Sequence, residues 1–195
     1  MNSSSLDINY SALMVIDMQN DFLLDTAPIC CPGGLKTIPY IKQLVSYFHQ
    51  KKRPVIYTKE SHRKEKIDFG LELEFEEPEH CIENTPGIEI FFELTPSDND
   101  ILIIKRRYSA FFGTDLDIVL RGLNVNTLVL TGVATDVCVR ATAQDAHQHN
   151  YRVIVPLECV AGTSYEAHHA ALKNISYVFG SVVQLNSIIS GGTNT

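Results

Sequence analysis

Short apolar runs alternate along this chain with segments whose apolar residues recur at helical spacing. The run at 12–16 is apolar throughout, which is typical of a strand buried on both faces of a sheet. Further apolar runs lie at 54–57, 101–104, 128–130 and 153–155, and the stretch 177–185 holds a last strand. Strands that alternate with helices form mainly parallel sheets covered by helices. The sequence therefore predicts a three-layer α/β/α sandwich around a mainly parallel six-stranded sheet.

Helices are predicted in the segments between these runs. The helix-spaced residues of the first are Ile38, Ile41, Leu44, Val45 and Phe48. Thr114 is predicted to cap a second helix and Thr135 a third, while Thr163 and Glu166 have the capping-box spacing of a fourth. The polar stretch 59–97 is interpreted as loops and short helices. Its acidic cluster, expected to be a solvated face, consists of Glu72, Glu74, Glu76, Glu77 and Glu79.

One globular domain is expected over residues 1–195. Apolar residues make up 45% of the chain and charged residues 20%, which is an ordinary globular balance. The length suits a single domain with a substantial core, and no repeat or low-complexity linker divides it. The two ends of the chain, 1–8 and 190–195, are expected to be frayed tails.

The composition argues against several classes of partner. A net charge of -7 and the lack of a basic stripe in the sequence oppose binding to nucleic-acid phosphates. No apolar stretch of the sequence is long enough to span a bilayer, and the N-terminus lacks the pattern of a secretory signal. Five cysteines without framework spacing are expected to be reduced thiols. We therefore expect a cytoplasmic protein that binds neither nucleic acid nor membrane.

Three chemically distinct side chains follow strands of the predicted sheet. Asp17 comes directly after the first run, Lys105 after the third, and Cys138 a few residues after the fourth. In parallel sheets, ligands bind beyond the carboxyl ends of the strands. A carboxylate, an ammonium and a thiol are therefore expected to converge at one edge of the sheet.

These residue types suffice for amide hydrolysis by a cysteine nucleophile. Cys138 is predicted to lie in the first turn of a helix beginning at Thr135, where the helix dipole and Lys105 favour a thiolate. Asp17 is expected to take the thiol proton and return it to the leaving amine. Backbone N–H groups of the loop and of Cys138 are expected to bind the oxyanion. The alternative is that Cys138 is a buried packing residue, as unreactive cysteines often are.

The pattern of these segments resembles that of the isochorismatase-like cysteine hydrolases, which include nicotinamidases and carbamoyl-amide hydrolases. The matching segments are 15–22, Lys105 with 108–116, and 132–139. The resemblance implies an isochorismatase-like, Rossmann-like fold and a catalytic triad of Asp17, Lys105 and Cys138. It also implies a cis peptide between Val133 and Ala134 that turns the Ala134 amide toward the oxyanion. A homo-oligomer, a dimer or a tetramer, is expected on the same ground.

The resemblance also suggests a metal site, although the cysteine mechanism requires no cofactor. Glu60, His62 and His80 stand where nicotinamidases hold a divalent, zinc-type ion with an Asp-x-His pair and a later histidine. Two features depart from that pattern: glutamate replaces the aspartate, and the chain contains no tryptophan, Glu77 standing where one is expected. The alternatives are that His62 is an exposed loop residue or binds an anionic substrate, and that His80 is a buried, hydrogen-bonded histidine.

The expected activity is cleavage of a C–N bond in a small-molecule amide through a cysteine thioester, with release of ammonia. Ureido or carbamoyl-type amides are favoured over nicotinamide because of the two departures described above. The pocket walls are expected to be Phe22, Tyr108, Phe111 and Phe112, some of which are alternatively core residues. The alternative functions are a metal-dependent nicotinamidase, a protein acting on a non-amide substrate or only binding a ligand, and a redox role.

Overall fold

The computed structural model describes residues 6–75 and 77–191 and contains a parallel sheet. Its strands are β1 Ser11–Ile16, β2 Val55–Glu60, β3 Ile101–Lys105, β4 Thr127–Val133, β5 Arg152–Pro156, β6 Val160–Ala161 and β7 Ser181–Val183. The order is β3-β2-β1-β4-β5-β7, with β6 paired to β4. All of these pairings are parallel, which confirms the predicted fold class.

The described sheet has seven strands instead of the predicted six. The additional strand is β6, whose two residues lie beside Gly132 and Val133 of β4. Two residues are too few to show an apolar alternation, which is why the sequence pattern missed this strand. The last strand is also shorter than the predicted stretch 177–185, because 175–179 continue the preceding helix as a π-helical turn.

Helices cover both faces of the sheet. They are α1 Asn20–Leu23, α2 Gly34–Gln50, α3 Leu116–Gly122, α4 Arg140–Gln148, α5 Tyr165–Asn174 and α6 Leu185–Gly191. Apolar side chains of α2 and α6 pack with Leu13 and Val15 of β1 in one core layer. Those of α3, α4 and α5 pack with Ala12, Met14 and Ile16 in the other. Successive β1 side chains thus alternate between two apolar layers, which explains why this run is apolar without interruption.

Two of the predicted helix starts are displaced by one residue. The N-cap of α3 is Asp115, although the Thr114 hydroxyl still accepts a hydrogen bond from the Leu116 N–H at 3.2 Å. Thr135 is the first residue of a π-helical turn, Thr135–Val139, whose N-cap is Ala134. This second start lies one residue earlier than predicted, because the extended backbone ends at Ala134, with φ -86° and ψ 143°, and Thr135 is already helical.

The start of α5 also differs from the predicted capping box. Ser164, with extended backbone angles, caps α5 by accepting a hydrogen bond from the Ala167 N–H at 3.1 Å. Thr163 instead hydrogen-bonds Asp136 through both its N–H group, at 2.9 Å, and its hydroxyl group, at 2.5 Å. This tertiary contact ties the loop before α5 to the turn that carries Cys138, and it removes Thr163 from the capping role.

The segment between β2 and β3 has loops and short 3-10 helices, as predicted, and no α-helix among its described residues. The predicted frayed tails at 1–5 and 192–195 lie outside the described residues. Leu6 and Ile8 pack against the core and 190–191 belong to α6, so these parts of the predicted tails are ordered. Across the ranges 6–75 and 77–191, no helix combines the length and apolarity needed to cross a membrane.

Candidate active site

Asp17, Lys105 and Cys138 meet at the carboxyl edge of the sheet. Asp17 directly follows β1, Lys105 ends β3, and Cys138 lies in the π-helical turn after β4. Lys105 Nζ is 2.8 Å from Asp17 Oδ2 and 3.6 Å from Cys138 Sγ. All three side chains are buried. The structure therefore brings together the three residues that strand-end reasoning selected.

The ammonium group of Lys105 is surrounded by acceptors. In addition to Asp17, it contacts Glu60 Oε2 and donates to the Arg107 carbonyl at 2.9 Å. Burial disfavours the charged amine, but the charges of Asp17, Cys138 and Glu60 outweigh burial and raise the pKa of Lys105 well above its ordinary value. Lys105 is therefore a permanent cation at neutral pH and not a proton carrier.

Asp17 is held by the hydroxyl group of Thr58 on β2. Thr58 Oγ1 donates to Asp17 Oδ1 at 2.6 Å and accepts from the Asp17 N–H at 3.0 Å. Asp17 has a left-handed backbone with φ 50°, a region that aspartate enters more readily than most residues. Burial raises the pKa of Asp17, and the neighbouring Lys105 offsets part of this effect. The carboxylate is consequently a stronger base than an exposed aspartate.

The thiol of Cys138 differs in one respect from the sequence-based prediction. Burial raises the pKa of Cys138 well above its ordinary value, Lys105 counteracts this effect, and the carboxylates of Asp17 and Glu60 reinforce it. This direction favours the neutral thiol in the resting site, where the sequence predicted a thiolate, because two carboxylates face a single ammonium group. Such a thiol needs an adjacent base at the moment of reaction, and Asp17 is in place to act as one.

A close backbone contact sets the distance between the two strand ends that carry Asp17 and Cys138. Gly132 of β4 has φ 103°, and a Cβ atom there would lie 2.0 Å from the Ile16 carbonyl oxygen of β1. Only glycine allows both this conformation and this approach. One residue further on, the peptide bond between Val133 and Ala134 is cis. The chain thus changes direction immediately before the turn that carries the thiol.

Glu60 links Lys105 to a pair of buried histidines. Its Oε1 atom lies 3.2 Å from His62 Nε2 and 3.0 Å from His80 Nε2, while its Oε2 atom contacts Lys105. Burial favours the neutral acid, but Lys105 and the two histidines outweigh it and hold the pKa of Glu60 well below its usual range. The exposed fraction of His62 is 0%, so the alternative of an exposed loop histidine is wrong.

The geometry of this cluster fits a zinc-type ion. His80 Nδ1 donates to the Pro78 carbonyl oxygen at 2.8 Å, so in the neutral ring Nε2 carries the lone pair that faces Glu60 Oε1. Two lone pairs at this distance require a proton or a metal cation between them. One carboxylate and two imidazoles are an open donor set for zinc.

The acidic cluster was predicted to be a solvated face, but two of its residues are not on one. Glu72 is buried, and its Oε1 atom lies 3.8 Å from His62 Nε2 without a hydrogen-bond partner in the described part of the chain. Glu77 lines the cavity above Cys138. Glu76 lies outside the described residues. Sequence reasoning missed Glu72 and Glu77 because neither lies in a regular element whose periodicity reveals the buried face.

A small cavity of about 40 Å³ opens above the thiol. Its lining includes Phe22, Glu60, His80, Tyr108, Ala134 and Cys138. Phe22 and Tyr108 are therefore pocket walls, as predicted. Phe111 and Phe112 are not, because Phe111 stacks on His149 with ring centroids 5.2 Å apart and Phe112 is 64% exposed. Four further lining residues were not predicted from the sequence to border a pocket, namely Ile29, Cys31, Val137 and Thr163.

A larger groove of about 1010 Å³ lies elsewhere on the molecule. It is lined by residues at the amino ends of β4 and β5, among them Thr127 and Arg152. None of the three converging catalytic-type residues borders it. The smaller cavity is the candidate active site, because reactive groups meet there and because ligands of parallel sheets bind at the carboxyl edge.

A three-layer fold with a buried carboxylate, ammonium and thiol at the carboxyl edge of its sheet is that of an isochorismatase-like hydrolase. The Isochorismatase domain profile matches residues 11–187, and the chain belongs to the isochorismatase family. It is 29% identical to N-carbamoylsarcosine amidase from an Arthrobacter species over 93% of this chain and 70% of the relative. It is 32% identical to an Arabidopsis thaliana protein described as a probable inactive nicotinamidase, over 86% of this chain and 89% of that protein.

Solved structures show the same relationship. An isochorismatase-like hydrolase from Alkaliphilus metalliredigens has a TM-score of 0.86 and 34% identity, covering 93% of this chain and 98% of that chain. A pyrazinamidase of Pyrococcus horikoshii in complex with zinc has a TM-score of 0.81 and 34% identity, covering 90% and 99%. The family includes amidohydrolases, and one of these structural relatives holds zinc.

Proposed function

We propose that this protein is a cysteine-dependent amidohydrolase that cleaves the C–N bond of a small amide and releases ammonia. The observation that carries the proposal is the position of Cys138 Sγ. It lies at the cavity, 3.6 Å from Lys105 Nζ, and that ammonium is 2.8 Å from Asp17 Oδ2. Nucleophile, cation and base thus meet beside one cavity.

In the proposed acylation step, Asp17 accepts the Cys138 proton while Sγ forms a bond to the substrate carbonyl carbon. The carbonyl electron pair moves to oxygen, and the N–H groups of Ala134 and Cys138 stabilise the resulting oxyanion. The oxyanion then reforms the carbonyl, the C–N bond breaks, and Asp17 returns the proton to the nitrogen. Ammonia leaves, and the acyl group remains on Cys138 as a thioester.

Water completes the proposed cycle. Asp17 accepts a proton from a water molecule as its oxygen attacks the thioester carbonyl carbon. The C–S bond then breaks, Sγ recovers the proton from Asp17, and the carboxylic acid leaves. Lys105 changes no protonation state in either half of the reaction. Its charge holds Asp17 in place and favours the thiolate as that thiolate forms.

A divalent ion is proposed as a companion of this mechanism and not as a requirement of it. Glu60, His62 and His80 would hold the ion, with Pro78 fixing the His80 ring. When bound, such an ion supplies a Lewis acid that polarises a substrate heteroatom. The support comes from the carboxylate and two imidazoles, whose ligand atoms lie close together, and from the zinc in the pyrazinamidase relative.

Carbamoyl or ureido-type amides are the proposed substrates, ahead of nicotinamide. The support is the carbamoyl group in the name of the N-carbamoylsarcosine amidase relative, together with the Glu77 carboxylate in the cavity lining, which can accept hydrogen bonds from carbamoyl or ureido N–H groups. A cytoplasmic homo-oligomer consisting of single-domain subunits stays a prediction from the sequence. The alternative function is ligand binding without catalysis, which the relative described as a probable inactive nicotinamidase favours.

Ammonia release from a panel of small amides tests the proposal. Cys138→Ala is expected to abolish release, while Cys30→Ala, which changes a cysteine outside the cavity lining, is the matched control. Each protein is assayed with and without a chelator. Release that persists in Cys138→Ala would refute the cysteine mechanism. Tight ligand binding with no release from any amide would favour the alternative function.

A further inference from the structure

The carboxylate of Glu77 lies in the wall of the active-site cavity. The residue is half-buried, and its Oε2 atom accepts a hydrogen bond from the Tyr108 hydroxyl at 2.8 Å. Within the described part of the chain, no Lys, Arg or His forms an ion pair with this carboxylate. Its carboxylate therefore lies at the cavity with the Tyr108 hydroxyl as its hydrogen-bond partner.

The other charged groups at the cavity already have partners. Glu60 is neutralised by Lys105, and His80 Nε2 lies 3.0 Å from the Glu60 carboxylate. Among the described residues, neither lysine nor arginine lines the cavity. Lys105 contacts two carboxylates, which already balance its positive charge, so it does not attract an anionic substrate.

The nearby arginines are engaged away from the cavity. Arg106 forms ion pairs with Asp68 at 2.9 Å and with Glu83 at 3.0 Å. Arg107 donates to the Asp68 carbonyl at 2.6 Å. The carboxylate of Glu77 is therefore an acceptor in the cavity wall that none of these arginines pairs with, and low-dielectric apolar walls strengthen the field of such a group.

We propose that Glu77 is a specificity-determining residue that selects amides bearing a cationic or N–H-donor group and rejects amides bearing a carboxylate. The proposal rests on the proposed amidohydrolase function and names the substrate class of the same site. When no ion occupies the Glu60, His62 and His80 cluster, a substrate carboxylate in this cavity would face Glu77 without a lysine or arginine in the lining to receive it, whereas an ammonium or ureido N–H group would find an acceptor. Tyr108 is the positioning residue that orients that acceptor.

Charged thiosulfonates probe this selectivity without requiring turnover. The Cys138 sulfur displaces methanesulfinate from a methanethiosulfonate and forms a mixed disulfide, which peptide mass spectrometry quantifies. Three reagents are compared: a cationic trimethylammonium-ethyl, an anionic sulfonato-ethyl and a neutral methyl methanethiosulfonate. Cys30 serves as an internal control. The ratio of cation to anion labelling at Cys138 is expected to exceed that at Cys30 by about tenfold, the scale of one charge-charge interaction at partial burial.

Three variants separate the charge of Glu77 from its packing. Glu77→Gln keeps the size and a hydrogen-bonding partner for Tyr108, and is expected to lower the ratio to that of Cys30. Glu77→Asp keeps the charge and is expected to keep most of the ratio. Glu65→Gln, an equal charge change at an exposed residue outside the cavity, is expected to leave it unchanged. A ratio that does not change in Glu77→Gln overturns the proposal.

Ammonia release from a matched amide series is measured in parallel. Glycinamide, propionamide and succinamate supply a cationic, a neutral and an anionic member, and kcat/KM is expected to fall in that order. Glu77→Gln is expected to reduce the difference between the extremes by about tenfold. Hydrolysis of all three at rates independent of Glu77 overturns the inference and leaves the function standing. A labelling ratio that depends on Glu77, with no release from this series or from the carbamoyl and ureido amides of the panel, leaves the charge selectivity standing and overturns the function.

Discussion

The carboxylate of Glu60 contacts the ammonium of Lys105 across the paired strands β2 and β3, where these two residues stand in register. The second oxygen of Glu60 faces His62 and His80. One side chain therefore belongs to both the catalytic set and the candidate metal cluster. An aspartate at this position has one methylene group less and would not span both.

Glu60→Asp is accordingly expected to break the link between Lys105 and the candidate metal cluster. The shorter carboxylate is expected to stay with Lys105, its charge partner in register, and to lose contact with the histidines. Metal affinity is therefore expected to fall by roughly 10–100-fold, as for changes in ligand support elsewhere. The measurements are zinc content after dialysis and kcat/KM for ammonia release. Glu89→Asp, at an exposed ion pair with Lys59, is the control. Unchanged zinc content in Glu60→Asp would contradict the shared role.

Lys105→Met is expected to destabilise the fold as well as abolish activity. The substitution leaves Asp17 and Glu60 buried without their cation, which typically costs about 3–5 kcal/mol. The free energy of unfolding in urea measures this loss. Lys42→Met, which breaks the exposed Lys42–Glu93 pair at 3.0 Å, is expected to change it by less than about 1 kcal/mol. Equal effects of the two substitutions would show that Lys105 is not the charge that balances the buried carboxylates.

The pH dependence of activity is expected to follow Asp17. Its carboxylate must be ionised to accept the thiol proton, so kcat/KM rises with pH as Asp17 loses its proton. Burial raises this pKa above the ordinary value of 3.8, which moves the acidic limb of the profile upward. The Thr58 hydroxyl stabilises the ionised form by donating at 2.6 Å.

Thr58→Val is therefore expected to raise the pKa of Asp17 further and to shift the acidic limb to higher pH. Removing a donor to the charged form favours the protonated form. Thr58→Ser keeps the hydroxyl and is expected to retain the wild-type profile. The profile of kcat/KM for ammonia release between pH 4 and pH 9, a range set around the ordinary pKa of carboxyl groups, measures the shift. An acidic limb at the same pH in Thr58→Val would exclude Asp17 as the titrating base.

Gly132→Ala is expected to destabilise the protein by at least about 2 kcal/mol, because it combines a disfavoured backbone with a steric clash. The added Cβ atom would lie 2.0 Å from the Ile16 carbonyl oxygen at φ 103°. Gly122→Ala, where a Cβ atom meets nothing within 4 Å, is the matched control. Thermal or urea unfolding measures both, and a neutral effect of Gly132→Ala would show that the contact between β1 and β4 is not tight.

Several local features of the fold were predictable because they depend on near neighbours in sequence. The apolar run of β1 reflects burial on two faces, and the period of α2 reflects burial on one. The start of α5 was not predictable from the capping-box pattern. Thr163 has the right chemistry for a cap, but a contact with Asp136, which is distant in sequence, uses its hydroxyl.

The aromatic residues also show that contacts with distant parts of the chain cannot be predicted from local sequence. Tyr108 and Phe111 are three residues apart on one loop, and both were expected to form pocket walls. Tyr108 lines the cavity and hydrogen-bonds Glu77, whereas Phe111 stacks on His149 at the end of α4. Their partners come from distant parts of the chain, so no local pattern separates them.

The sequence by itself determined the alternation of strands and helices along the chain. It also placed Asp17, Lys105 and Cys138 at or beyond the carboxyl ends of the strands that carry them. These properties follow from the periodicity of burial and from the rule that parallel strands end at a common edge. Only the tertiary structure decided the charges that surround the thiol, the double contact of Glu60 and the exposure of Glu77 to the cavity. These properties depend on burial and on charges brought together through space, and both arise only when distant segments of the chain pack against one another.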